Sequence, residues 1–248
     1  MTEKIIKSNV VNKDIILLYE KYEETIFDRK IPVLYNEFEK DKNQLLFIGL
    51  NPSFSDNLIK GYNGTSEEYN NFFQSRKLGD VEIKKLGDVE IKEIIKVHEE
   101  SIKNYPYFSK FEAIANDTGK AFAHIDLFHC RRTSQSEFVK ILENKDSEKK
   151  LDKKDSEIFI NKSVEILNEL INQIKPKIII VENAKTRDIL SKHFPSITDI
   201  HDTYGTPLLN NKIPIFYTSM LTGQRALDLG SYHRLIWHIK HCISILEK

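Results

Sequence analysis

The stretch Gln44-Leu45-Leu46-Phe47-Ile48-Gly49-Leu50-Asn51-Pro52-Ser53-Phe54 constrains the fold more than any other part of the chain. Leu45 to Ile48 is an apolar run of strand length with no polar alternation, the pattern of a strand buried on both faces in a parallel sheet. Gly49 breaks the run and permits a tight exit or the close approach of a ligand. Pro52 fixes its own φ and pushes Asn51 towards an extended conformation. An amide side chain is thereby held at the carboxyl end of a strand, where open α/β sheets place their ligands. The same residues also fit a strand that simply ends in an Asn-Pro turn.

A chain of 248 residues is long enough for one α/β domain with a sizeable core. Lys plus Arg and Asp plus Glu each number 37. No net positive charge draws the chain to nucleic acid, so any DNA contact needs a local basic patch. Cys130 and Cys242 are the only cysteines, too few for a four-cysteine cluster, a zinc site or a disulfide framework. The expectation is therefore no metal, no cofactor and a reducing, cytoplasmic setting. Met1 to Asp14 is polar without a signal-peptide core, and no apolar run reaches membrane-spanning length, so no membrane association is expected.

Along the chain, Ile15 to Tyr22 has helical spacing, and a second short helix is expected from Val33 to Phe38 after Pro32. Asp56 to Tyr69 reads as an exposed loop, followed by a helix with Phe72 and Phe73. Lys77 to Lys84 is repeated without change as Lys85 to Lys92. Two copies do not make a solenoid; they read as a duplication in a tolerant loop or helix end, with no catalytic role. Glu93 to Asn104 is helical, and another helix after Pro106 ends near Gly119. Ala121 to Phe128 is a second strand. The charged stretch in which Lys-Asp-Ser-Glu recurs, at 145–148 and 154–157, reads as solvated or as a basic arm. Ser156 is expected to cap a long helix, Ile158 to Ile174, with Ile160, Val164, Leu167 and Leu170 on one stripe. Lys177 to Val181 is a third strand. Asn183 then serves as a helix N-cap or as a ligand contact. Ile197 to Ile200 and Ile213 to Tyr217 read as further strands, Tyr204 to Pro207 as a turn, and Tyr232 to Leu246 as a terminal helix.

The segment after the last strand is dense in polar groups: Ser219, Thr222, Gln224, Arg225, Asp228, Ser231 and His233. Gln224 and Arg225 suit phosphate binding or anion stabilisation, and His233 sits within a helical turn of Ser231. Each also fits a structural hydrogen-bonding role.

Gly49-Leu50-Asn51-Pro52-Ser53 resembles the first motif of the uracil-DNA glycosylase superfamily in its Gly-x-Asn-Pro form. Ala123 to Phe128, Pro176 to Val181 and Phe216 to Leu221 match that superfamily's order of strands, over roughly residues 40 to 240. The resemblance implies a three-layer α/β/α fold with a short, mainly parallel sheet, as a single domain over 1–248. It implies that Asn51 positions a water at the sugar carbon and that an aromatic, Phe54 or Phe108, stacks on an extruded base. It departs from the superfamily where the latter carries His-Pro-Ser, since this chain has Ser219-Met220-Leu221. Leu221 or Met220 can still serve as an apolar wedge there.

A second departure has chemical content. Typical members read the base with an Asn at the end of the second strand, and the matching residue here is Asp126. An amide donates and accepts, whereas an ionised Asp only accepts. Asp126 therefore suits a base edge carrying an exocyclic amine better than uracil. It can instead pair with Arg131 or Arg132 or cap a turn. The expected catalytic set is Asn51, Gln224, Arg225 and His233. The expected substrate-binding set is Gly49, Pro52, Ser53, Phe54, Asp126, Arg132, Asn183, Ser219 and Leu221. These should gather at one sheet edge and line one cleft, because each segment follows a predicted parallel strand. The implied function is recognition or excision of a damaged base in DNA by a monomer. The alternatives are a nucleic-acid or nucleotide-binding module without the chemistry, and an enzyme acting on a small nucleoside or nucleotide.

Overall fold

The computed structural model describes residues 10–27, 32–38, 44–52, 88–104, 106–132, 134–145, 151–193, 208–209, 213–222 and 226–247. In chain order its elements are α1 (Val10–Tyr22), β1 (Leu45–Gly49), α2 (Asp88–Asn104), a 3-10 turn (Pro106–Phe108), α3 (Ser109–Thr118) and β2 (Phe122–Asp126). They continue with α4 (Gln135–Leu142), α5 (Lys153–Ile174), β3 (Ile178–Val181), α6 (Ala184–His193), β4 (Leu208–Leu209), β5 (Ile213–Tyr217) and α7 (Leu229–Leu246). The protein is mixed α/β. It divides into two compact units, one of Met1–Glu37, Asn51–Tyr105 and Phe128–Glu169, the other of Phe38–Leu50, Pro106–Leu127 and Leu170–Lys248.

The second unit holds the sheet. Its strand order is β2-β1-β3-β5-β4. The first four strands run parallel, and the two-residue β4 lies antiparallel on β5. β1 and β3 are interior strands with a parallel neighbour on each side, and every residue of both is buried. Leu45 registers with Phe122 on one side and Ile178 on the other. Phe47 meets Phe111 edge to face at 4.9 Å and Phe122 at 5.7 Å, which joins α3 to the sheet. Gly119 closes α3 in the left-handed conformation, φ 65°, as its position after Ile114 and Ala115 predicts. Asp228 caps α7 by accepting from the Ser231 N–H at 2.9 Å and its hydroxyl at 2.6 Å. Two members of the polar cluster after β5 are thus spent on starting the last helix.

The first unit packs around aromatic rings. Phe159 meets Tyr22, Phe27 and Phe128 at 5.5, 6.3 and 5.5 Å, and Phe128 also meets Phe138 at 5.1 Å. The helix expected over Val33 to Phe38 is absent. Pro32 bridges Cys130, and the Val33 N–H donates to the His129 carbonyl at 2.9 Å. The Asn12 amide clasps the Tyr35 backbone, donating to its carbonyl at 2.7 Å and accepting from its N–H at 3.0 Å. These bonds satisfy the segment's backbone groups from outside it, without a helix, and Val33, Leu34 and Tyr35 are all buried.

One helix start differs from expectation, and one helix, α4, was not expected. α5 begins at Lys153, where Asp152 accepts from the Asp155 N–H at 2.7 Å, and Ser156 lies inside the first turn, donating to the Leu142 carbonyl. Ser134 caps α4 through the Glu137 N–H, using a Ser-x-x-Glu signature that the hydrophobic pattern does not reveal. Residues 77–87 of the tandem repeat and the strand expected at 197–200 lie outside the described residues. No helix among the described residues is long and apolar enough to cross a membrane.

Candidate functional site

In the second unit, β1 has β2 on one side and β3 on the other, so the connections leaving β1 and β3 diverge at their carboxyl ends. That is the place where open parallel sheets bind ligands. Side chains two apart on a strand share a face, so His124 and Asp126 of β2 share one. Phe47 and Gly49 register with them. Because Gly49 has no side chain, two carboxylates close over it. A Cβ placed there would fall 2.4 Å from Asp126 Oδ1 and 3.4 Å from Glu182 Oε1.

These carboxylates belong to a hydrogen-bonded cluster. Glu182 Oε1 accepts from the Tyr107 hydroxyl at 3.0 Å and lies 3.1 Å from His124 Nε2. A carboxylate oxygen only accepts, so Nε2 carries the proton. On the other side of the ring, His124 Nδ1 is 4.0 Å from Asp126 Oδ2. His124, Asp126 and Glu182 are 5%, 4% and 1% exposed. Burial alone would lower the His124 pKa, but the Asp126 charge and the Glu182 bond outweigh it and hold the imidazole above its ordinary value. Burial, with the Glu182 and Asp126 charges, raises the Tyr107 pKa so far that the phenol stays a donor. Phe108 and Phe111 close on the His124 ring at 5.1 and 5.4 Å. Phe108 is therefore a buried wall of the histidine and no exposed platform for a base. The backbone beneath is pinned: the Gly49 carbonyl accepts from the Leu127 N–H at 3.1 Å and the Thr186 hydroxyl at 3.2 Å.

Gly49→Ala is expected to destabilise the protein by about 1–3 kcal/mol, because a methyl group must displace a buried carboxylate. Urea unfolding measures it; an unchanged midpoint would show that Asp126 moves aside freely.

In the first unit, Asn51 is locked. Its Nδ2 donates to the Arg132 carbonyl at 2.9 Å and the Pro52 carbonyl at 3.2 Å. Those two acceptors identify the amide nitrogen and leave Oδ1 as the opposite end. That oxygen is buried and has no hydrogen-bond partner among the described residues. The Arg132 N–H donates to the Pro52 carbonyl at 3.0 Å, while its guanidinium donates to the carbonyls of Ile26 and Thr25 at 2.9 and 2.7 Å. Arg132 thus braces the turn that holds Asn51.

No family model matches this chain. Comparison with curated proteins likewise returns no match.

The remaining expected site residues fall in several places. Asn183 caps α6, its Oδ1 accepting from the N–H groups of Lys185 at 2.9 Å and Thr186 at 3.3 Å. Leu221 is buried, and Ser219 and His233 are exposed. The Thr222 hydroxyl lies beside the Tyr107 phenol. Ser53, Phe54, Gln224 and Arg225 lie outside the described residues. No group of three or more His, Cys, Asp or Glu among the described residues is placed to hold a metal ion. Tyr107, His124 and Glu182 are absent from the set expected from sequence. The available signals were a charged residue directly after the apolar run Ile178 to Val181 and a histidine inside the apolar strand β2.

Proposed function

We propose that this protein recognises a nucleobase and excises it by hydrolysing its N-glycosidic bond, on a three-layer α/β/α fold of the uracil-DNA glycosylase kind. The observation that carries the reading is Asp126: a buried carboxylate at the carboxyl end of β2, seated on Gly49 beside the raised-pKa His124. A carboxylate there accepts from an exocyclic amine and repels a carbonyl oxygen. Asn51 supports the reading separately. Its nitrogen is committed to two backbone carbonyls, so its oxygen, without a partner among the described residues, has the polarity needed to orient a water molecule. An amide is no strong general base, so the rate must come from an oxocarbenium-like sugar and a stabilised leaving base. A base taken from DNA has to be extruded first.

The equal numbers of acidic and basic residues favour a second reading, in which the substrate is a small nucleoside or nucleotide. One experiment addresses both. The protein is incubated with DNAs, nucleosides and nucleotides carrying uracil or an amine-bearing base, and free base is detected. Release of the amine-bearing base in preference to uracil is expected. Asp126→Asn should shift that preference towards uracil by roughly tenfold to a hundredfold. An unchanged ratio with activity intact would remove Asp126 from base reading, and no release from any substrate would overturn the excision reading.

A further inference from the structure

The His124 ring is held at one nitrogen and idle at the other. Nε2 lies 3.1 Å from Glu182 Oε1, which the Tyr107 hydroxyl steadies from 3.0 Å. That bond keeps a proton on Nε2, so Nδ1 is the nitrogen that gains or loses one. Nδ1 is buried with no hydrogen-bond partner among the described residues, and it faces Asp126 Oδ2 at 4.0 Å. That separation is too long for a hydrogen bond but within reach of an ion pair. The other oxygen of the same carboxylate, Oδ1, is the atom seated over Gly49. Among the described residues, the groups facing the ring that carry charge or can gain it are Asp126 on β2, Glu182 after β3 and Tyr107 in the 3-10 turn. The turn and α3 otherwise bring Phe108 and Phe111 against it.

We propose that His124 is a positioning residue for Asp126: with Glu182 holding Nε2, the charged ring presents Nδ1–H to Oδ2 and fixes the carboxylate as an acceptor for an amine-bearing base. This rests on the base-recognition reading above and adds to it the group that orients the acceptor. The charge on the ring decides the sign of the contact. A neutral ring protonated on Nε2 turns the Nδ1 lone pair towards a carboxylate oxygen and repels it, whereas the imidazolium turns an N–H there and attracts it. His124 and Asp126 are almost wholly out of water, which strengthens both effects. Burial itself opposes the charge, but the Asp126 charge and the Glu182 bond prevail. Below the midpoint of the ring's titration Asp126 is held, and above it the hold is lost.

The test follows both ring nitrogens of His124 by nitrogen-15 NMR of the full chain across pH. Beside it, calorimetry measures binding of deoxycytidine and deoxyuridine, which carry an amine and a carbonyl oxygen respectively at the same ring position. The wild-type ring should lose the Nδ1 proton and keep the Nε2 proton, at a pH above the ordinary histidine value of about 6.5. Asp126→Asn should lower that midpoint. The preference for deoxycytidine should fall roughly tenfold as pH rises through the same midpoint, a coincidence that needs no variant to fold. His124→Gln keeps a donor for Glu182 but carries no charge. Its preference should be roughly tenfold weaker than that of the wild type below the midpoint and indifferent to pH. Adding Asp126→Asn to it should give the preference of Asp126→Asn alone, since the two residues act as one unit. A midpoint unmoved by Asp126→Asn, a wild-type preference indifferent to the ring's charge, or an equal loss of both nucleosides in His124→Gln would overturn the inference and leave base reading by Asp126 intact. Wild-type protein that binds neither nucleoside, or both alike, would overturn the base reading itself and this inference with it.

Discussion

Lowering the pH from neutrality towards 3 is expected to remove roughly 4 to 5 kcal/mol of stability through His129 alone. Both ring nitrogens of His129 are buried without a hydrogen-bond partner among the described residues, and burial lowers its pKa from 6.5 to about 3. Between those values the unfolded chain binds a proton that the folded one refuses. Stability therefore rises with pH across this window. The contribution is complete above the unfolded pKa and is lost as pH falls through the window to the folded one. The ring packs edge-on against Tyr35 at 5.6 Å, so an aromatic replacement can occupy its place. Denaturant unfolding of the wild type and of His129→Phe, each at pH 7 and pH 4, isolates the effect. The variant should keep about 3 kcal/mol more of its neutral-pH stability at pH 4. Parallel losses in the two proteins would mean that protonated His129 finds a partner inside the fold.

A loss of similar size is expected from Phe47→Ala. Phe47 is fully buried in β1, an interior strand, and packs against Phe111 and Phe122. Removing a buried phenyl ring costs about 3–5 kcal/mol, the sum of lost transfer energy and the cavity left behind. Domains are stable by roughly 5–15 kcal/mol, so one side chain carries a large part of the whole. A fall in Tm of roughly 6–20 °C should accompany it. Phe47→Leu, which fills most of the space, should recover much of the loss. Leu17→Ala is the control: Leu17 is 61% exposed on α1, and its removal should change stability by less than about 0.5 kcal/mol. Equal effects at the two positions would contradict the burial of β1.

The elements legible in the sequence are those whose signal is local. Leu45 to Ile48 and Ile178 to Val181 are apolar runs without alternation, and both are strands buried throughout. Gly119 ends α3 because its left-handed φ suits a residue without a side chain. What stayed hidden depends on partners distant in the chain. Val33 to Tyr35 have the composition of a short helix, but Asn12 and His129 hold their backbone in another form. Ser156 is a fair N-cap by type, yet Asp152 reaches the helix start first. At the candidate site, Gly49 and Asp126 were legible from their places after apolar runs. Their neighbours Tyr107, His124 and Glu182 become a cluster only when β2 and β3 flank β1, and no spacing in the sequence encodes that adjacency.

The position of β1 in the sheet also sets a schedule for synthesis. β1 ends at Gly49, its first flank begins at Phe122 and its second at Ile178. At the roughly 5–20 residues per second of a translating ribosome, the second flank follows the first residues of β1 by about 7–27 s. Until the first flank is made, Leu45, Leu46, Phe47 and Ile48 stand on the nascent chain as an apolar strand with both edges open, and one edge stays open until the second flank follows, a template for pairing with any other chain nearby. A holdase that shields short apolar segments during translation, or slower initiation that spaces neighbouring ribosomes, should raise the yield of folded protein more than any change of conditions after release.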